Sequence, residues 1–148
     1  MTIRRARAED ADAVADVFVA ALANMTYLPQ THTERENRAF VRDVLLTHNE
    51  VWIAEGDESS VGFVGLRENL LGHLWVHPDA QNQGVGTALL SVAKSRRPGG
   101  LQLWVFQKNT GARRFYERHD FELVCVTDGS ANAEKEPDAL YEWRPQRP

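Results

Sequence analysis

A single cysteine, Cys125, stands among 148 residues, and that excludes an intrachain disulfide framework. It falls in the alternating run Phe121 to Val126 with no histidine next to it in the chain. That pattern predicts a strand in which Cys125 is a small packed side chain rather than a nucleophile. An excess of basic residues is also missing. Seventeen Lys and Arg face 21 Asp and Glu, a formal charge of −4, so nucleic acid is not expected as a partner. Long apolar runs are lacking, which excludes a membrane span, and Met1-Thr2-Ile3-Arg4-Arg5 has no signal-peptide core. The expectation is a cytoplasmic protein without membrane or nucleic-acid partners. Repeats, low-complexity tracts and long linkers are absent, so residues 1–148 read as one domain able to bury a sizeable core. His32, His48, His77 and His119 show no ligand spacing with carboxylates or Cys125, and no metal site is expected.

What is present is ordered by its hydrophobic period. Thr2 to Ala6 predicts a short strand. From Asp10 to about Asn24, Val14, Val17, Phe18, Ala21 and Leu22 share one helix face, with Asp10 and Asp12 at its positive end. Tyr27-Leu28-Pro29 breaks it. Thr33-x-x-Glu36 is a capping box opening a second helix that buries Phe40, Val41, Val44 and Leu45. The period then changes to two. Val51–Ala54 and Val61–Leu66 form a hairpin around Gly56–Ser60, and a third strand runs through Leu74, Trp75 and Val76 to Pro78. Another helix places Val85, Ala88, Leu89, Val92 and Ala93 on one face and Lys94, Arg96 and Arg97 in its last turn, before Pro98-Gly99-Gly100. Leu101 to Phe106 alternates as a strand. Asn109 caps a short helix to about His119, Asp120 turns, and strands at Phe121–Val126 and Ala139–Trp143 close the chain. The order β α α β β β α β α β β predicts an α/β (α+β) class with helices on both faces of a sheet.

The chemistry concentrates between the third strand of the middle run and the helix after it. Gln81-Asn82-Gln83-Gly84-Val85-Gly86 joins them. The outward N–H groups of a first helical turn, together with the helix dipole, favour an anion there. Glycines at 84 and 86 remove the β-carbons that would hold a phosphate off the backbone. Two glycines alone also fit a plain connection. No Gly-Lys-Ser/Thr follows, and Leu89 stands where a dinucleotide fingerprint needs its third glycine.

Gln81-x-x-Gly84-x-Gly86 after Val76-His77-Pro78 resembles the cofactor loop of the GNAT acetyltransferase superfamily. A second motif lies downstream, with Asn109 opening a short helix, Tyr116 seven residues on, and Asp120-Phe121 soon after. The order of elements over the whole chain follows the same pattern. The resemblance implies a single GNAT-like domain with a mixed, mostly antiparallel twisted sheet of about seven strands. It implies transfer of an acetyl group from acetyl-coenzyme A to a primary amine of a small molecule or protein, directly in a ternary complex. In the implied cofactor site, backbone of Gln81, Asn82, Gln83, Gly84, Val85, Gly86 and Thr87 surrounds the pyrophosphate. Leu74 and Val76 pair with the pantetheine arm, and an N–H near Val76 polarises the thioester carbonyl. Asn109 bonds the pantetheine or holds its helix, and Tyr116 protonates the leaving thiolate while Phe115 fills the core.

Two positions depart from the pattern. The places where a carboxylate base is common hold His73 and Trp104; the base is then His73, Glu68 or water. Asp120 replaces the usual glycine, at a small cost in a left-handed backbone. Tyr27, His32, Trp75, Trp104 and Phe106 are candidates for the acceptor pocket or for the core. Glu134, Glu136 and Asp138 either attract a cationic substrate or form a solvated loop. The alternative reading is a non-catalytic acyl-coenzyme A-binding module. Acceptor identity and oligomeric state, a homodimer included, are left open.

Overall fold

β-Branched and aromatic residues at alternate positions produce four antiparallel strands before residue 77. They are β1 (Thr2–Arg5), β2 (Glu50–Glu55), β3 (Ser60–Arg67) and β4 (Leu70–Val76), paired in that order. The computed structural model describes residues 1–26 and 30–145, in two units, Met1–Arg96 and Arg97–Pro148. The predicted breaker Tyr27-Leu28-Pro29, and with it the pocket candidate Tyr27, lies outside the described residues.

Strand alternation divides the first unit into two faces. Phe63 and Gly65 of β3 pair with Trp75 and His73 of β4, while Gly62 and Val64 pair with Val76 and Leu74. The first set packs under α1 (Ala11–Ala23), whose Val14, Val17 and Phe18 form one core with Val41, Leu45, Ile53 and Phe63. The second set faces α4 (Val85–Arg96), seated at Gly62. A Cβ there would lie 3.0 Å from Val85 Cγ1, 3.1 Å from Leu89 Cδ1 and 2.9 Å from the Trp75 carbonyl oxygen. At the other end of α4, Arg96 pairs with Glu50 at 2.6 Å and lies over the Trp52 ring at 5.4 Å. Leu90 joins Val85, Leu89 and Ala93 in the core, whereas Ala88 and Val92 are half-buried. Arg97 falls just past the helix.

The capping box forms as predicted. Glu36 N donates to Thr33 Oγ1 at 3.1 Å, and Thr33 N donates to Glu36 Oε1 at 2.9 Å. The helix it opens, α2 (Glu34–Phe40), widens into a π turn over Val41–Leu45 and ends as α3 (Leu46–His48). This turn corrects one expectation: Val44 is 42% exposed, while Val41 and Leu45 are sealed. A π turn rotates less per residue than an α turn. Position i+3 therefore swings away from the core, and i+4 stays on it.

In the second unit β7 (Asp138–Trp143) lies between β5 (Leu101–Phe106) and β6 (Glu122–Thr127), antiparallel to both. Leu101, Leu103 and Val105 are buried as their alternation predicts. Helix α5 (Thr110–Arg118) is tied to β7 through the Tyr141 hydroxyl, which donates to Glu117 Oε2 at 2.7 Å and accepts from Arg113 Nε at 3.0 Å. Its C-terminus closes as a Schellman turn. Phe121 N donates to Tyr116 O at 3.0 Å, Asp120 N to Glu117 O at 3.3 Å, and Asp120 takes φ +71°. The packed role expected for Cys125 does not hold. Its thiol is exposed, because β6 carries an outward run from Glu122 to Val126.

Across the two units the seven strands and their helices are the α/β (α+β) class expected. Two substitutions test how the fold is held. Gly62→Ala should cost about 1–3 kcal/mol, since overpacking must push α4 outward; unchanged denaturant stability would contradict that seat. Asp120→Gly should gain about 0.5–1 kcal/mol by relieving the left-handed position. A loss in chemical denaturation would contradict the cap.

Candidate active site

Strand β4 is interrupted once and then delivers the chain to a helix. Its pairing passes from Leu66–Leu71 to Gly65–His73, so Gly72 is the extra residue of a bulge. Pairing persists to His77, whose N–H donates to Val61 O at 2.8 Å. Pro78–Ala80 makes a 3₁₀ turn capped by His77 Nδ1, which accepts from Asp79 N at 3.1 Å, and Ala80 anchors it in the core. Residues 81–84 then lie on the surface, with Asn82 at φ +63° and Gly84 at φ +83°. The first helical bond of α4 runs from Ala88 N to Gly84 O at 3.0 Å. By helix geometry the amides of Gly84, Val85 and Gly86 precede any i→i−4 acceptor.

The cradle fits a phosphate-bearing ligand. A Cβ at Gly84 would meet no atom within 4 Å, so the space over the helix start is open and the backbone can be touched from outside. The left-handed φ of Gly84 and Asn82 turns successive amides toward that space. No basic side chain occupies residues 81–87; attraction there comes from main-chain N–H groups and the helix dipole.

His73 sits elsewhere. Its strand parity sends it to the α1 face, opposite Leu74 and Val76, where it packs against Phe18 and Phe40 at 6.4 Å and 5.8 Å between ring centres. Gly65 across the ladder leaves room for it; a Cβ there would approach His73 Cβ to 3.4 Å. Nδ1 accepts a hydrogen bond from Trp75 Nε1 at 3.2 Å. Burial pushes its pKa down to about 4. The imidazole is therefore neutral at physiological pH, weakly basic, and already engaged at one nitrogen. Glu68, the other base candidate, occupies the β3–β4 turn at φ +54°, at the opposite end of β4 from the glycine loop.

In the second unit, Asn109 caps α5 by accepting from Ala112 N at 3.1 Å. Of its two predicted uses, holding the helix is the one seen. Tyr116 is 8% exposed and rests edge-to-face on Phe121 at 5.5 Å, while Phe115 is only half-buried. The expected division, with Phe115 in the core and Tyr116 outside it, is thus reversed. The Schellman contact between the residues at C3 and C″ draws Tyr116 inward. Burial raises its phenol well above the ordinary range, so it remains protonated at physiological pH. Among the other pocket candidates, His32 is exposed beside Glu36 at 3.8 Å, and Trp75 meets Phe18 edge-to-face at 5.4 Å. Trp104 and Phe106 line a cavity with Glu134 and Asp138. Residue reading missed Gly62 and the Phe18–Phe40 wall; the strand parity of Gly62 with Val64 was the available signal for the first.

A family model described as an acetyltransferase (GNAT) domain matches residues 47–123, more than half of the chain. The peptidyl-lysine N-acetyltransferase YiaC of Escherichia coli K12 is 30% identical over 123 residues, covering 82% of this chain and 84% of that protein. The peptidyl-lysine N-acetyltransferase YjaB of Salmonella typhimurium LT2 is 29% identical over 126 residues, covering 84% and 85%. The solution structure of apo YjaB from Escherichia coli superposes with a TM-score of 0.77 at 24% identity, over 96% of both chains, and shows the same fold. The chain belongs to the GNAT acetyltransferase superfamily. It is an N-acetyltransferase using acetyl-coenzyme A, which sets aside the non-catalytic alternative. No helix among the described residues is long and apolar enough to cross a membrane.

The half-buried imidazole makes a measurable prediction. The unfolded chain binds a proton at His73 near pH 6.5 and the folded chain only near 4. Its contribution is complete above pH 6.5 and declines as pH falls from 6.5 to 4, by on the order of 3 kcal/mol. Denaturant unfolding across this window should show a shallower decline for His73→Phe than for wild type. Identical slopes would mean that His73 titrates normally.

Proposed function

We propose that the protein acetylates lysine side-chain amines of protein substrates by direct attack on the thioester of acetyl-coenzyme A. The observation that carries the acceptor assignment is the pair of relatives named peptidyl-lysine N-acetyltransferases, each spanning more than four fifths of this chain. The donor side rests on the open left-handed turn at Gly84 ahead of α4.

In this reading the backbone N–H groups of residues 82–87, with Gln81 opening the loop, hold the pyrophosphate at the start of α4. Main-chain groups of Leu74 and Val76 receive the pantetheine arm as an added strand would be received. The N–H near Val76 donates to the thioester carbonyl oxygen as charge develops there. The bound donor supplies an activated acetyl group on a good leaving thiol. Asn109 keeps α5 in place, and Tyr116 offers its phenolic proton to the sulfur.

A phenol raised well above its ordinary range by burial does not surrender its proton outright to a departing alkyl thiolate. Tyr116 therefore acts chiefly as a hydrogen-bond donor that stabilises the departing sulfur. The lysine ammonium must first lose a proton, because its ordinary pKa is near 10.4. His73 is poorly suited to that task, since it is weakly basic and faces the α1 side. We assign the step to water, with Glu68 the remaining side-chain candidate. The nitrogen lone pair then attacks the carbonyl carbon and the carbon–sulfur bond breaks with its electrons on sulfur; the second proton of the attacking nitrogen passes to that sulfur, so the thiol leaves protonated. A single domain over residues 1–148 and a cytoplasmic location complete the reading; the exposed free thiol of Cys125 supports a reducing compartment.

Free-thiol release with acetyl-coenzyme A and lysine peptides tests this directly. Turnover should require an unblocked lysine, and peptides offering only an N-terminal amine should remain unmodified; the reverse preference would overturn the acceptor assignment. Tyr116→Phe removes a hydrogen-bond donor to developing charge and should lower kcat about a hundredfold with little change in coenzyme A affinity, and an undiminished rate would remove it from the chemistry. Gly84→Glu adds charge and backbone strain to the cradle and should weaken coenzyme A binding at least about tenfold in calorimetry. Unaltered affinity in the folded variant would contradict the loop assignment.

A further inference from the structure

Beside the strands of the second unit lies a cavity of about 380 Å³, lined in part by Trp104, Phe106, Asn132, Glu134 and Asp138. Its size falls within the range of small-ligand pockets. Trp104 and Phe106 share the face of β5 opposite its buried residues, and Trp104 is 48% exposed. Opposite Phe106 in the ladder stands Asp138, and opposite Asp138 on β6 stands Thr127. Two carboxylates and two aromatic rings thus border one space, and among the described residues no lysine or arginine lines it.

The wall is built rather than incidental. Asp138 accepts from the Thr127 hydroxyl and from Asn132 Nδ2 at 3.2 Å. Asn132 braces the β6–β7 loop, donating to Glu136 O at 2.7 Å and accepting from Glu136 N at 3.2 Å. Gly129, at φ +83°, lets the loop cross itself, since a Cβ there would lie 2.3 Å from the Glu136 carbonyl carbon. Gln107 Nε2 adds bonds to Thr127 O and Asp138 O, both at 3.0 Å. The two neighbouring lysines are engaged outside the lining. Lys135 donates to Ser130 O at 2.8 Å, and Lys108 pairs with Glu136 at 3.1 Å.

An indole face half open to solvent beside carboxylates is the chemistry that selects an organic cation. The ring quadrupole attracts it and the carboxylates fix its charge. We propose that this cavity binds an ammonium or guanidinium group of the acceptor, so that the enzyme favours lysines in basic surroundings. The proposal rests on the lysine-acetyltransferase reading given above. It adds a specificity site formed by Trp104, Glu134 and Asp138.

Matched peptides with one acceptor lysine, flanked by either arginine or glutamine, test it with the full chain. KM should be about fivefold lower for the arginine peptide, and Trp104→Ala or Glu134→Gln should abolish that preference. Coenzyme A affinity should remain unaltered in both. A rise in KM confined to the arginine peptide supports a neighbouring cation in the cavity; an equal rise for both peptides, with the preference intact, overturns the link between this cavity and basic surroundings. Unmoved KM values for both peptides would overturn the proposal. Should no lysine peptide turn over, the function reading fails, and calorimetry with arginine amide still decides the cavity. Binding by wild type that is lost in Trp104→Ala supports it, and no binding by wild type overturns it.

Discussion

The close seat of α4 on β3 is the constraint on which the donor site depends. Only a residue without a Cβ at position 62 lets Val85 and Leu89 approach the strand this far. With α4 seated there and Arg96 pinned between Glu50 and Trp52 at its far end, the helix has little freedom to slide. Its first turn, and so the direction of its leading amides, is set by packing within the sheet's first unit. The loop from Gln81 to Gly84 is the short exposed path left between a strand end capped by Pro78 and a helix start already in position.

The opposite face of the same sheet has a different character. There Phe18, Phe40 and Trp75 pack around His73, with Phe63 against Phe18, and largely desolvate its imidazole. Desolvation suppresses the charged form, so a residue that chemistry would welcome as a base has become part of an aromatic wall. The same force acts on Tyr116, with a different consequence. Raising a phenol keeps its proton, as the proposed hydrogen bond to a departing sulfur requires, whereas lowering an imidazole takes away the basicity an ammonium would require.

How much of this was legible in the chain depended on whether the signal was local. The Thr33–Glu36 box, the Asn109 cap, the Asp120 turn and the glycine loop are each carried by a few consecutive residues, and all four form. The opposite facing of His73 and Leu74 was also present, since neighbours on a strand point apart. The exposure of Val44 was not, because nothing in Val41 to Leu45 announces a π turn over an α turn. Nor was the burial of Tyr116 ahead of Phe115, which follows from the hydrogen bonds that bring Phe121 back onto the helix. The cavity of Trp104 and Asp138 lies between: alternation put the aromatic residues on one face, but the loop that brings Glu134 to them depends on Asn132 and Gly129.

In the proposed donor site, main-chain amides at the start of α4 hold the pyrophosphate of coenzyme A. Amide hydrogen exchange with and without coenzyme A reads those groups one by one. Added coenzyme A should slow exchange most at residues 82–87 and leave the loop from Asp128 to Pro137 unaffected. Protection absent from residues 82–87 under saturating coenzyme A would contradict that site.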